Sequence, residues 1–180
     1  MDNLTLTKIE KEDFEQLFLL MSSSFPPEEY RPKEKQLALL DDDDYCATVL
    51  KENGKVVAFI AVWRLKGFAF AEHFAVEKEK RNNGLGSKFL KEYLKSLPLP
   101  LVLEVENLDD EIPKRRIDFY KRLGFIETDI CYDQPNFHNS DKIIPLKIMF
   151  HPNGHKLDIK TVKDEIFKNI YKRAKNGERI

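Results

Sequence analysis

The chain has 180 residues, 42% of them hydrophobic, which is long enough for one domain with a sizeable core. Lys and Arg number 30 against 31 Asp and Glu, a net charge of -1, so no global positive excess draws the chain to nucleic acid or to a membrane surface. Met1 to Thr5 lacks the cationic start of a signal peptide, no apolar run approaches spanning length, and Cys46 and Cys131 lie far apart with no Cys-x-x-Cys pairing; free thiols and a cytoplasmic protein are expected.

In chain order, Leu4 to Ile9 alternates apolar and polar residues as an opening strand does. Phe14, Leu17, Phe18 and Met21 then fall on one helical face. Ser24 to Tyr30 interrupts that pattern, with Pro27 suited to a first helical turn, and a second helix is expected to run to about Leu40. Asp41 to Asp44 reads as a solvated acidic turn, because no His or Glu cluster joins it to make a metal site. Tyr45 to Leu50 and Lys55 to Leu65 form a hairpin about Glu52-Asn53-Gly54, Asn-Gly being a strong hairpin signal. Gly67 to Val76 is a further strand. A helix to about Ser96 follows, with Leu85, Phe89, Leu90, Tyr93, Leu94 and Leu97 at helical spacing. Leu101 to Val105 is a short apolar strand, and Pro113 to Leu123 a helix stopped by Gly124. Phe125 to Tyr132 and Ile143 to Phe150 are strands joined by a polar loop containing Gln134-Pro135. Val162, Ile166, Ile170 and Ala174 mark a C-terminal helix over Thr161 to Ala174. No repeat or linker divides the chain, so a single domain over 1–180 is expected, a core of 1–152 with a C-terminal helical extension of 153–180. The fold class is α/β of the mixed α+β kind, a mixed sheet covered by helices.

Between the third helix and the strand before it lies Arg81-Asn82-Asn83-Gly84-Leu85-Gly86-Ser87. A strand, a two-glycine turn with a cationic start and a helix make a place for an anion. Glycine lets the backbone approach a ligand closely, and the first-turn amides have no partner inside the helix. Pyrophosphate suits such a loop best. A nucleotide phosphate loop needs four residues and then Gly-Lys-Ser/Thr, but Gly86 is followed by Ser87-Lys88. A dinucleotide fingerprint needs a third glycine where Phe89 stands. The spacing that fits is Arg/Gln-x-x-Gly-x-Gly after a strand; a plain strand-to-helix turn is the structural alternative. A second motif, Phe119-Tyr120-Lys121-Arg122-Leu123-Gly124-Phe125, stands about 35 residues downstream with a strand between.

Both motifs, in this order, resemble the GNAT acetyltransferases, and the likeness spans roughly Leu4 to Phe150. The resemblance implies a GNAT-like fold: a central, mostly antiparallel mixed sheet of about seven strands flanked by helices, here with an extra C-terminal helix. It implies acetyl-CoA as cosubstrate and no metal. The backbone of Phe74, Ala75 and Val76 would pair with the pantetheine arm, and the amides of Arg81, Asn82, Asn83, Gly84, Leu85, Gly86 and Ser87 would hold the pyrophosphate. Lys78, Lys80 and Lys88 are nearby cations. Tyr120 stands where many family members carry a tyrosine that protonates the departing thiolate; its alternative is a buried tyrosine packing helix to sheet. Glu72 stands on the strand where the family places a general base; its alternative is an ion pair with a neighbouring element. His73 is expected on the opposite face, the better base by pKa but the worse by geometry; its alternative is a satisfied residue beneath a helix. The family's Asn seven residues before the tyrosine is Pro113 here, so that contact is not carried over.

The implied function is N-acetyl transfer from acetyl-CoA to a primary amine of a small molecule, by direct attack in a ternary complex. A protein or peptide N-acetyltransferase and a non-catalytic acyl-CoA sensor are the alternatives. The acceptor side is expected from Phe25 to Tyr30, the Gln134-to-Ser140 loop and the strand bearing Glu72. Glu28, Glu29, Asp133 and Asp141 would bias it toward cations, and Phe25, Tyr30, Tyr132 and Phe137 would add an aromatic wall. A small-molecule amine is the expected partner, with no nucleic acid and no membrane; a homodimer is left open.

Overall fold

A computed structural model describes residues 4–107, 110–134 and 144–171. Seven strands form one sheet: β1 (Leu6–Lys8), β2 (Tyr45–Glu52), β3 (Lys55–Leu65), β4 (Phe68–Val76), β5 (Leu101–Glu106), β6 (Ile126–Asp133) and β7 (Pro145–His151). Their spatial order is β1-β2-β3-β4-β5-β7-β6, and every neighbouring pair is antiparallel except β4 with β5. The tight turn between β2 and β3 is set by Asn53 and Gly54, both at positive φ (51° and 79°), the geometry that matches strand twist in a two-residue hairpin.

The helices are α1 (Phe14–Ser24), α2 (Lys33–Ala38), α3 (Leu85–Ser96), α4 (Glu111–Arg122) and α5 (Ile159–Ile166), the last running into a π-helical turn over Phe167–Tyr171. Two apolar layers sandwich the sheet. On one face, Phe14, Leu17 and Met21 of α1 and Val162, Ile166 and Ile170 of the C-terminal segment pack on Phe59, Ala61 and Trp63. On the other, Phe89, Leu90 and Leu94 of α3 and Tyr120 of α4 pack on Ile60, Val62 and Leu103. The alternation of β3, buried on both faces from Val56 to Trp63, is what a central strand requires. No helix among the described residues is long and apolar enough to cross a membrane.

The expected element order is the one observed, with small shifts of boundary. The expected second helix is broken into short 3-10 turns at Pro27–Glu29 and Leu39–Asp41 flanking the six-residue α2. Prolines 26, 27 and 32 lack the amide a continuous helix would use.

Candidate active site between the splayed strands

The parallel strands β4 and β5 pair only over Ala69–Leu101, Phe70–Val102 and Ala71–Leu103. Beyond that point Glu72 to Val76 and Glu104 to Glu106 run on without pairing to each other, and a cleft of about 200 Å³ opens between them. Residues from both faces of the sheet line it: Phe25, His73, Glu104 and Tyr171 from one side, Phe74, Arg116 and Tyr120 from the other. The opening is therefore a passage through the sheet.

A β-bulge shapes β4 at this point. Ala61 of β3 pairs with His73 but Val62 pairs with Ala71, so Glu72 is the extra residue. A bulge re-aims side chains and resets the alternation beyond it. Sequence alternation alone puts Glu72 and His73 on opposite faces; with the bulge they share one, and His73 Nδ1 lies 3.7 Å from Glu72 Oε2. The expected opposite orientation of His73 is corrected for that reason.

Glu72 is committed to its neighbours. Nη1 of Arg31, in the α1–α2 connection, lies 2.9 Å from both carboxylate oxygens, and the Trp63 indole donates to Oε2 at 3.1 Å. The two charged side chains are only 3% and 6% exposed, so the pair is buried. Burial pushes the carboxyl up, but the Arg31 charge, the His73 ring and the two hydrogen bonds outweigh it and hold Glu72 below the usual carboxylate range. His73 Nε2 donates to the Glu29 carbonyl at 2.9 Å, and Phe25 meets the imidazole edge-on at 4.9 Å. Burial lowers the His73 pKa, keeping the ring neutral at pH 7. Glu72 and His73 together fasten the 25–31 segment to the bulge.

A second carboxyl in the cleft has the opposite character. Glu104 of β5 accepts hydrogen bonds from the Tyr132 hydroxyl of β6 and from the Tyr171 hydroxyl, the latter at 2.7 Å. Burial raises its pKa to about 7, with the charges of Glu72 and Glu29 adding to the rise and the two phenols opposing it. A carboxyl near 7 is half ionised at neutral pH and is suited to accepting a proton. Sequence reading missed it: within Leu101 to Val105 it looked like one charge in an apolar strand, and its partners come from residues far along the chain.

Past the cleft, the β4 end leads into the glycine turn. The Glu77 amide donates to Val57 of β3, so across the planar peptide the Val76 carbonyl points to the open edge, where Arg81 Nε donates to it at 2.8 Å. By the two-residue alternation of an antiparallel strand, the main-chain groups of Phe74 face the same open edge, and those of Ala75 face β3. Asn82 and Gly84 both adopt left-handed backbone (φ 66° and 76°), and Gly84 caps α3. This curls the chain so that the amides opening α3 border a second hollow of about 370 Å³, lined by Phe74, Gly84, Gly86, Ser87, Phe119 and Arg122. A Cβ on Gly86 would meet Val76, Phe119 and Phe74 no closer than 3.5 Å, so protein packing does not require glycine there. Strand edge, bare glycine and helix start together fit a long thioester cosubstrate with a pyrophosphate.

Tyr120 sits where α4 faces the cleft, its ring against Phe119 and Phe125 at centroid distances of 5.2 Å. Burial pushes the phenol up to about 12, so it stays protonated at neutral pH and can donate.

A family model for the acetyltransferase (GNAT) domain matches residues 43–127. The Bacillus subtilis protein YjbC is 34% identical over 111 residues, which is 58% of this chain and 54% of that protein, so the match spans about half of its length. A solved GNAT-family structure from Bacteroides thetaiotaomicron is 30% identical and superposes with a TM-score of 0.82 over 93% of this chain and 98% of its own. The chain belongs to the GNAT acetyltransferase superfamily. An aminoglycoside 6'-N-acetyltransferase complexed with coenzyme A shares the GNAT fold at 15% identity, with a TM-score of 0.67 over 86% of this chain and all of that one.

On this GNAT frame Glu72, Phe74, Ala75, Val76, Arg81 and Tyr120 all line the cleft, and Phe74, Val76 and Arg81 also line the adjoining hollow with Asn82, Gly84, Gly86 and Ser87. Asn83 and Leu85 belong to the same turn but line neither. Of the nearby cations, Lys80 is paired with Glu52 at 2.5 Å. Pro113 is buried in the first turn of α4, where its missing amide is tolerated. On the acceptor side, Phe25, Glu29 and Gln134 line the cleft, whereas Tyr30 packs edge-on against Phe18. Phe137, Ser140 and Asp141 lie outside the described residues.

Proposed function

We propose that this GNAT protein is an N-acetyltransferase that moves an acetyl group from acetyl-CoA to a primary amine of a small molecule, by direct attack in a ternary complex. The passage between β4 and β5 carries this reading: it joins the glycine turn to a cleft holding a buried phenol and a buried carboxyl. The open edge at Phe74 and Val76 takes the pantetheine arm as an added strand, and the amides from Arg81 to Ser87 hold the pyrophosphate. Acetyl-CoA supplies the activated carbonyl.

The residues of the chain manage the protons. An amine with a pKa of about 10 arrives as an ammonium ion and must lose a proton before it attacks. Glu104 accepts that proton. As nitrogen bonds to the carbonyl carbon and the carbon–sulfur bond breaks, Tyr120 donates to the departing sulfur, whose parent thiol has a pKa of about 8.5. Glu72, the base expected from the resemblance, is assigned instead to holding the 25–31 segment, because its carboxylate is already stabilised by Arg31 and Trp63.

The cleft's size and charge support this acceptor class. Glu104 lines the cleft with no cation in direct contact among the described residues, which favours a cationic acceptor. Among the described residues Glu72 is covered by Arg31 of the 25–31 segment, and this supports a compact amine. A panel of small amines, polyamines, aminoglycosides and peptide N-termini with free-thiol detection tests the reading. Turnover with a small amine is expected. Turnover with peptides alone would support the protein acetyltransferase, and acetyl-CoA binding without turnover the sensor. With a responsive amine at saturation, kcat should fall as pH drops below about 7 and Glu104 protonates. Glu104→Gln should lower kcat by roughly 10²–10⁴-fold and abolish that limb. If Glu72→Gln abolishes it instead, the two carboxylates have been assigned the wrong way round.

A further inference from the structure

Given the acetyl-transfer reading, on which it rests, we infer that Tyr171 is a positioning residue of the acceptor site, and that the C-terminal segment carrying it is a working part of that site. The hydroxyl of Tyr171 donates to Oε2 of Glu104 at 2.7 Å while that of Tyr132 donates to Oε1. One phenol on each oxygen leaves the carboxylate, which lines the cleft, little freedom to rotate. Tyr171 is itself 4% exposed and lines that cleft.

The way the chain delivers this hydroxyl is specific. α5 starts with Asp158 accepting from the Lys160 amide at 3.2 Å, and Val162, Ile166 and Ile170 bury against the sheet face that bears Glu104. At Phe167 the helix widens into a π-turn, described over Phe167–Tyr171, that carries Tyr171. Such turns are rare and are frequent at functional sites, since they rotate the next side chain off the regular helical face.

The contact also sets the proton affinity of Glu104. The groups facing that carboxyl are Tyr132 from β6, Tyr171, Glu72 from β4 and Glu29 from the α1–α2 connection, with Glu106 on its own strand and Arg116 of α4 in the same cleft. The two acids favour its protonated form and the two phenols its ionised form. Removing one phenol hydroxyl therefore moves the titration upward, away from neutrality.

Tyr171→Phe keeps the packed ring and deletes the hydrogen bond. In protein labelled with ¹³C-glutamate, the Glu104 carboxyl resonance, identified by its loss in Glu104→Gln, should titrate about one pH unit higher in Tyr171→Phe. The acid limb of kcat should move up by the same amount. Ile166→Val, a packing change in the same segment, should leave both midpoints where they are. Unmoved carboxyl titration in Tyr171→Phe overturns the inference, as does a moved titration with an unmoved limb. If the wild-type protein acetylates no amine, the proposed function fails and takes the inference with it. An active wild type with an unmoved Tyr171→Phe profile defeats the inference alone.

Discussion

Two glutamates a strand apart line one cleft, and their surroundings send them in opposite directions. Glu72 has a guanidinium at 2.9 Å; Glu104 has two neutral phenols and no cation in direct contact among the described residues. For Glu104, the folded-state pKa of about 7 lies above the ordinary value of 4.5, so the native state holds the proton more tightly than the unfolded chain. The contribution of Glu104 to stability is then greatest below about pH 4.5 and falls as pH rises toward 7, a loss on the order of 3 kcal/mol that persists above it. Glu104→Gln should therefore melt higher than wild type at pH 8, with the gap closing toward pH 5, while acetyl transfer drops. Thermal unfolding at the two pH values checks this; equal melting at pH 8 would show that the carboxylate is not desolvated. The ion pair behaves differently. Arg31→Ala leaves Glu72 buried without its cation and should cost about 3–5 kcal/mol in a denaturant titration. Of this chemistry the sequence showed only the presence of an acid on β4. The partner Arg31 is 41 residues away and in a loop, and Glu104 gains its character only when Tyr132 and Tyr171 converge on it.

At the scale of elements, the glycine turn was legible because its constraint is local. Gly84 sits at φ 76°, a conformation that costs a non-glycine residue about 1–2 kcal/mol, and no ligand is needed to explain it. Gly86 is different: it is helical, with room for a methyl group at ordinary contact distance. Gly86→Ala should fold at least as well as wild type, whereas Gly86→Leu should fold and fill the hollow against Phe74 and Phe119. Melting curves without ligand, set beside acetyl-CoA affinity by calorimetry, separate the two effects: a normal curve with lost affinity is expected for Leu. The hairpin at Asn53-Gly54 was legible for the same local reason. The β4 bulge was not, since Ala71-Glu72-His73 contains neither glycine nor proline and the register shift appears only against β3. Its consequence, that Glu72 and His73 face the same way, was beyond any period-two reading of the strand.

For the whole molecule, the sheet works as a partition that opens between β4 and β5. The layer of α3 and α4 covers the face where the donor binds in the proposed reading, and the layer of α1 and the C-terminal segment covers the face where the amine enters. Periodicity and turn signals gave the order of elements, and the two motifs pointed to the family. Neither shows where β4 and β5 part, because that depends on pairing between strands separated by a whole helix. The C-terminal helix was legible as an amphipathic stretch, but which face it covers, and that its Tyr171 bonds to Glu104, is a tertiary fact. The most direct test of the account is thermal unfolding of wild type and Gly86→Leu with and without saturating acetyl-CoA. Ligand at about a hundred times its Kd should stabilise the wild type by about 2.7 kcal/mol and raise its Tm by several degrees, with no rise in Gly86→Leu. An unmoved wild-type transition, or an equal rise in the variant, would contradict the assignment of the passage and its glycine turn to the acetyl donor.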